Sequence, residues 1–151
     1  MQTFLPYPDF NMTALCLDYR RLGKQRVEAM QIYCILAEYN SDRPWAKHPA
    51  VLMWKGYLEA LAVYYNVIRN EWIRRGYRNN MPELGVGKQP LLPNWMGLQK
   101  FHLSHQSNLI RKDKGYYQSQ FGDVPKDLPY FWPAQNGYVY ADKRKFLTFE
   151  F

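Results

Sequence analysis

The chain contains only two cysteines among 151 residues, too few for the disulfide framework of a small secreted domain. Cys16 and Cys34 both fall in the segment read below as the first helix. Eighteen residues of helix would hold them roughly 27 Å apart, far beyond disulfide reach. Both are therefore expected to be reduced thiols filling core space. No apolar run approaches the roughly 20 residues that a membrane-spanning helix needs. The opening Met1-Gln2-Thr3-Phe4-Leu5-Pro6 lacks the basic segment, apolar core and small-residue cleavage site of an export signal, and a cytoplasmic location is expected.

Acidic residues are also scarce. Thirteen Asp and Glu show no carboxylate-rich cluster of the kind a two-metal nuclease needs. There is no Ser-nucleophile motif. Gly85-Val86-Gly87-Lys88 resembles a phosphate loop only superficially, because the full glycine spacing and the Ser or Thr after the lysine are missing. His102 and His105 could share a metal, but no third ligand has convincing spacing, so neither a metal nor another cofactor is expected.

What is present is positive charge and aromatic surface. Twenty Lys and Arg give a formal charge of +7, and 17% of residues are aromatic. Such a balance favours polyanionic partners, nucleic acid first among them, and charge alone leaves a plain soluble protein of high pI as an even alternative. Both halves of the chain are basic, so any cationic surface must be assembled by folding.

The length suits one domain, spanning 1–151. Three stretches have helical periodicity, separated by segments rich in Pro, Gly and Asn. The expected fold is mainly α, with three principal helices and an extended aromatic C-terminal segment. The first helix starts after Asn11 or Thr13 and runs to about Tyr39, with Val27, Met30, Cys34 and Ala37 as its buried face and Gly23 loosening its middle. The second enters at Pro49 and carries Trp54, Tyr57, Leu61, Tyr65, Ile68 and Trp72 at spacings of three and four, its rings read as core. Gly76 stops it. The third runs from Asn94 or Trp95 to about Lys112. Beyond it Tyr130, Phe131 and Trp132 are the expected anchors, and short β pairing around Tyr138 to Tyr140 is left open.

Polar groups concentrate at two places. Arg20, Arg21, Lys24, Gln25 and Arg26 crowd about two turns of the first helix, with Glu28 just beyond. Four cations in seven residues repel one another unless an anion lies across them, and a DNA phosphate would serve. A solvated face with Glu28 paired to Lys24 is the alternative. The third helix offers His102, His105, Asn108, Arg111 and Lys112, neutral hydrogen bonders with two cations, a mixture suited to sugar and phosphate contacts.

With those residues laid out, the chain resembles the pyrimidine dimer DNA glycosylase family, the endonuclease V type of bacteriophages and some bacteria. Asp18-Tyr19-Arg20 is similar to the family's Glu-Tyr-Arg. The segment from His48 to Tyr77, with its long aromatic helix and Arg75-Gly76-Tyr77, is similar to a family helix ending in Arg-Gly-Phe. The third helix and Tyr116-Tyr117 resemble the family's last helix and aromatic C-terminal part.

The resemblance implies a glycosylase with lyase activity that bends double-stranded DNA, extrudes a nucleotide at a damaged or modified base and needs no obligate protein partner. An N-terminal α-amine attacks C1′ of the sugar, displaces the base and forms an imine, and β-elimination then nicks the strand. Such amines have ordinary pKa values near 7.8, so roughly a tenth is unprotonated at pH 7. A nearby carboxylate stabilises the cationic sugar and moves protons. In the family this is the glutamate directly after Glu-Tyr-Arg, a place held here by Arg21. The nearest carboxylate on the helix is Glu28. Gln2 is too large for removal of the initiator Met, so the expected catalytic pair is the Met1 amine and Glu28. A noncatalytic DNA-binding or DNA-bending protein is the alternative, and an interaction protein with an incidental basic face is the third reading.

Overall fold

The computed structural model of the chain describes residues 1–88, 90–134, 137–142 and 145–149, with the backbone alone from Ala134 onward. Six helices and a three-stranded sheet follow in order: α1 (Phe10–Cys16), α2 (Tyr19–Ala37), α3 (Pro49–Leu52), α4 (Leu58–Arg74), α5 (Gln99–Lys112), α6 (Lys114–Phe121), β1 (Tyr130–Ala134), β2 (Gly137–Asp142) and β3 (Lys145–Phe149). The fold is mainly α, and α2, α4 and α5 are the three principal helices.

The first two expected helical stretches are interrupted, and the third is shortened at its start. The first breaks at Leu17, whose backbone is extended and whose side chain is fully buried. Asp9 caps α1 through Met12 N–H, and Asp18 caps α2 through Arg21 N–H. The Asp18 amide also donates to Tyr117 Oη at 2.9 Å, and the Tyr117 hydroxyl donates back to the Asp18 carboxylate. Burial of that bonded pair helps to offset the helical hydrogen bonds lost at the break. The second stretch divides into α3, with Pro49 in its first turn, and α4, ended by Gly76 at φ 88°. The third starts later than expected, at Gln99, after a turn through Gly97, and Asp113 restarts the chain as α6.

The buried face of α2 also differs from the expected one. Leu22, Gln25, Glu28, Ala29, Ile32 and Ile35 face inward, while Val27 and Cys34 are exposed. Two stripes of this helix have three-four spacing. The inward one carries Gln25 and Glu28, whose polarity hides it from a reading based on apolar residues alone. Cys16 is buried, as core filler should be, and burial pushes its thiol up to about 12. Gly23 serves a packing purpose rather than a flexible one: a Cβ there would lie 2.7 Å from the Trp72 ring of α4.

The core centres on rings from separate elements. Trp54 packs edge-on against Trp95 at 5.0 Å, Phe10 edge-on against Tyr64 at 5.5 Å, and Trp95 against Phe101 at 4.9 Å. These side chains are buried, and of the α4 aromatics Tyr64 and Tyr65 are core while Trp72 is only partly buried. The aromatic C-terminal segment forms an antiparallel meander in the order β1-β2-β3, with Trp132 opposite Val139 and Tyr138 opposite Phe149. Its first strand docks on α5 and α3, where Phe131 N–H donates to Ser104 Oγ at 3.2 Å. Among the described residues no helix is long and apolar enough to cross a membrane.

Candidate active site around the N-terminus

Residues 2–6 lie outside any helix or strand and are buried. Such a segment cannot satisfy its own backbone, and each orphaned buried group costs about 1–3 kcal/mol. Here side chains do so. Gln2 N–H donates to Glu28 Oε2 at 3.1 Å, and Gln2 C=O accepts from Gln25 Nε2 at 2.9 Å. Phe4 N–H donates to Gln25 Oε1 and Phe4 C=O accepts from the Tyr64 hydroxyl, both at 2.8 Å. Leu5 N–H donates to His105 Nδ1 at 2.9 Å, and Leu5 C=O meets His102 Nδ1 at 2.8 Å. Pro6 C=O accepts from Gln106 Nε2 at 2.7 Å.

The two histidines therefore carry defined protons. Gly97 N–H donates to His102 Nε2 at 2.9 Å, so the His102 proton lies on Nδ1, facing the Leu5 carbonyl. His105 accepts at Nδ1, so its proton lies on Nε2, a buried atom with no hydrogen-bond partner. Burial lowers the pKa of both, against the Leu5 carbonyl for His102 and with help from His102 for His105, which falls to about 3. Both rings are neutral at pH 7.

This clamp delivers the chain start to a carboxylate. With Gln2 N–H on Glu28 Oε2, backbone geometry keeps the Met1 nitrogen within about 7 Å of that oxygen. The Met1 side chain packs against the core. Glu28 Oε2 also accepts from Gln25 Nε2 at 3.2 Å, and Oε1 lies 3.7 Å from Lys24 Nζ. The carboxylate side chain is only 12% exposed, so it is no freely solvated partner of Lys24.

Cations ring it unevenly. Lys112 Nζ lies 6.0 Å from the centre of the Phe4 ring. Its pKa is lowered by partial burial first and by Arg21 and Lys24 next, with Glu28 opposing and Arg111 adding to the depression. These groups therefore share one field around Glu28. Arg21 is anchored to Asp18 at 3.3 Å. Arg111 is tied to the loop before β1, donating to Lys126 C=O at 2.5 Å and Leu128 C=O at 2.9 Å, and also to the side chain of Asn108.

The basic cluster of the first helix is divided by the fold. Lys24 and Arg21 face the N-terminal site. Arg26 bonds Asn79 Oδ1 at 2.5 Å and lies 4.9 Å from the Trp72 ring centre, and exposed Arg20 bonds the Tyr19 hydroxyl at 3.0 Å. Trp72, Tyr77 and Tyr19 stack in turn, so these two arginines border an aromatic ladder instead. Gln25, His102, His105 and Asn108 lie inside the protein, and their bonds run to its own chain.

Three residues of the site had no role in the sequence reading beyond anchoring or motif position. Tyr130 of β1 packs edge-on at 5.7 Å from His105, and its hydroxyl pairs with the Gln2 side chain. Burial raises its pKa, against that bond. His48 caps α3 by accepting Ala50 N–H at Nδ1. Burial lowers its pKa first and the Met1 ammonium adds to this. Trp45 packs on His48 at 5.4 Å. Only the His-Pro step at the head of a helix marked this region in the sequence. Among the described residues no three His, Cys, Asp or Glu side chains come together as a metal site.

A model of the pyrimidine dimer DNA glycosylase family matches residues 1–83. The matched part contains the N-terminal segment, α1–α4, Gln25, Glu28 and His48, while α5, α6 and the sheet, which carry His102, His105, Lys112 and Tyr130, follow it. No curated protein and no solved structure matches the chain.

Proposed function

This chain belongs to the pyrimidine dimer DNA glycosylase family, and we propose that it excises a damaged or modified base from double-stranded DNA through an imine to Met1 and then nicks the strand by β-elimination. The observation that carries the reading is the burial of residues 2–6 in a cage of side-chain hydrogen bonds, which holds the chain start beside the Glu28 carboxylate. Chain ends are ordinarily mobile. One that engages Gln25, Glu28, Tyr64, His102 and His105 has been positioned, and orientation alone can supply several orders of magnitude in rate.

The Met1 lone pair attacks C1′, and the glycosidic bond breaks with its electrons leaving on the base. The nitrogen loses its two protons in turn, one to the departing base and one to O4′ as the C1′–O4′ bond opens, and an imine remains. Removal of a C2′ proton then expels the 3′ phosphate. Glu28 offsets the positive charge on the sugar and carries protons between these steps. Lys24, Lys112 and Arg21 hold the phosphates flanking the extruded nucleotide, and Arg20 and Arg26 contact backbone further along the duplex. Gln25, His102, His105, Asn108 and Arg111 position the chain start and its surroundings from below.

Borohydride reduction on duplex DNA carrying an abasic site tests this directly. A covalent adduct that maps to Met1 is expected. DNA affinity without an adduct would leave a DNA-binding or DNA-bending protein, and an adduct at a lysine would move the nucleophile.

A further inference from the structure

Gln2, the residue after the proposed nucleophile, is held through its backbone and its side chain together. Its N–H donates to Glu28 Oε2 at 3.1 Å, its C=O accepts from Gln25 Nε2 at 2.9 Å, and its Oε1 accepts Thr3 N–H at 2.9 Å. With the carboxamide oxygen so engaged, the carboxamide nitrogen is the group that donates to the Tyr130 hydroxyl oxygen. These contacts leave the terminal amine little freedom. With the Gln2 peptide plane fixed at its N–H, the Met1 nitrogen moves only by rotation about the Met1 Cα–C bond, on a circle of about 1.4 Å radius. Rotation of Gln2 would tilt that circle, and the side-chain contacts of Gln2 oppose it.

Tyr130 is itself fixed from behind. Its ring packs edge-on at 5.7 Å from His105 and tilted at 5.3 Å from Trp132. On either side of it, Leu128 N–H donates to Ser107 Oγ at 3.0 Å and Phe131 N–H donates to Ser104 Oγ at 3.2 Å, so α5 sets the place of the strand. The same helix holds Leu5 through His102 and His105. One element therefore carries both the segment behind the amine and the phenol that meets Gln2. A phenylalanine would make the same ring contacts, which leaves the hydroxyl to act on Gln2. Tyr130 lies beyond residues 1–83, the part that the family model matches.

We propose that Gln2 and Tyr130 are positioning residues for the Met1 amine, Tyr130 Oη holding the Gln2 carboxamide and, through the Gln2 backbone, keeping the nitrogen aimed at C1′ beside Glu28. This rests on the amine chemistry above. Neither side chain touches the sugar. Their effect is geometric: they set how often the nitrogen points at C1′, and they leave its basicity and the grip on the phosphates unaltered. Gln2 thus acts twice, its size retaining Met1 and its carboxamide orienting it.

The variants are Tyr130→Phe, which keeps the ring, and Gln2→Met, which keeps a long second residue and therefore the initiator Met. Both are compared with the parent on a duplex carrying an abasic site. Single-turnover borohydride trapping at saturating protein gives the rate of imine formation, and titration gives DNA affinity. Circular dichroism confirms the fold. We expect Tyr130→Phe to slow imine formation about tenfold, part of the roughly 100-fold that a misplacement of about 1 Å costs. Affinity should stay within about twofold, and the pH midpoint of the rate should not move, since the amine keeps its surroundings. Gln2→Met should lose at least as much, and the double variant no more than Gln2→Met alone. Trapping by Tyr130→Phe at the parent rate would overturn the proposal and leave the amine chemistry standing. So would a loss of affinity instead of rate, a shifted pH midpoint, or losses that multiply in the double variant. If Gln2→Met does not fold, the rate, affinity and pH profile of Tyr130→Phe decide alone. Absence of any adduct in the parent would overturn the amine chemistry and the positioning pair with it.

Discussion

The backbone N–H of Gln2 and the Oε2 of Glu28, 26 positions apart in the chain, meet at 3.1 Å. The same carboxylate takes a second hydrogen bond from Gln25 and lies 3.7 Å from Lys24. Glu28 thus joins the first residues of the chain to the basic face of α2. Glu28→Gln retains an oxygen that can accept both hydrogen bonds but removes the charge and the proton acceptor. It should fold and bind DNA as the parent does, while excision and nicking fall on the order of 100-fold or more. Parallel melting, binding and glycosylase assays check this, and a fully active variant would remove Glu28 from the mechanism.

Gln25 bonds Gln2 C=O, Phe4 N–H, Glu28 and the Tyr64 hydroxyl at once. Gln25→Leu fills similar space and leaves these buried groups without their partner. A loss of about 2–5 kcal/mol in urea unfolding is expected, with activity reduced further because the chain start is released. Stability within about 0.5 kcal/mol of the parent would show that the segment is held by apolar packing instead.

The pH dependence of folding has a defined sign at His105. Its folded pKa is lowered to about 3, against about 6.5 in an unfolded chain. Between those values the unfolded state binds a proton that the folded state does not. The contribution is complete above about pH 6.5 and is lost as pH falls towards 3, with a ceiling of about 5 kcal/mol. His102 and His48, also lowered, act in the same direction. His105→Gln can still accept Leu5 N–H without titrating, so urea midpoints measured from pH 7.5 down to 4.5 should fall less steeply than in the parent. Parallel curves would exclude His105 as the titrating group.

Lys24 and Lys112 face the same carboxylate from different helices. Their joint replacement by Glu should weaken DNA binding and lower its salt dependence by about one unit of slope per lost phosphate contact. Titrations across a salt series give the slope, and an unchanged value would place the DNA path elsewhere.

Much of the architecture was legible in the chain itself, because helices and net charge arise from local spacing and composition. The helical stretch through Leu61, Tyr65 and Ile68, its stop at Gly76 and the mainly helical class all follow from patterns within a few turns. Glu28 could be chosen because it is the nearest carboxylate after the Asp-Tyr-Arg step. What polar side chains bond to is a different matter, since it depends on groups far away in sequence. The polarity of Gln25, His102 and His105 by itself points to DNA contacts. The structure gives them to the backbone of residues 2–6 because a buried segment outside helix and sheet needs partners that no sheet provides. The same distant requirement turned the polar stripe of α2 inward and exposed Val27 and Cys34. Trp45 takes its positive φ in a turn closed by Ala46 N–H on Arg43 C=O and His48 N–H on Trp45 C=O, a backbone state that no residue spacing encodes.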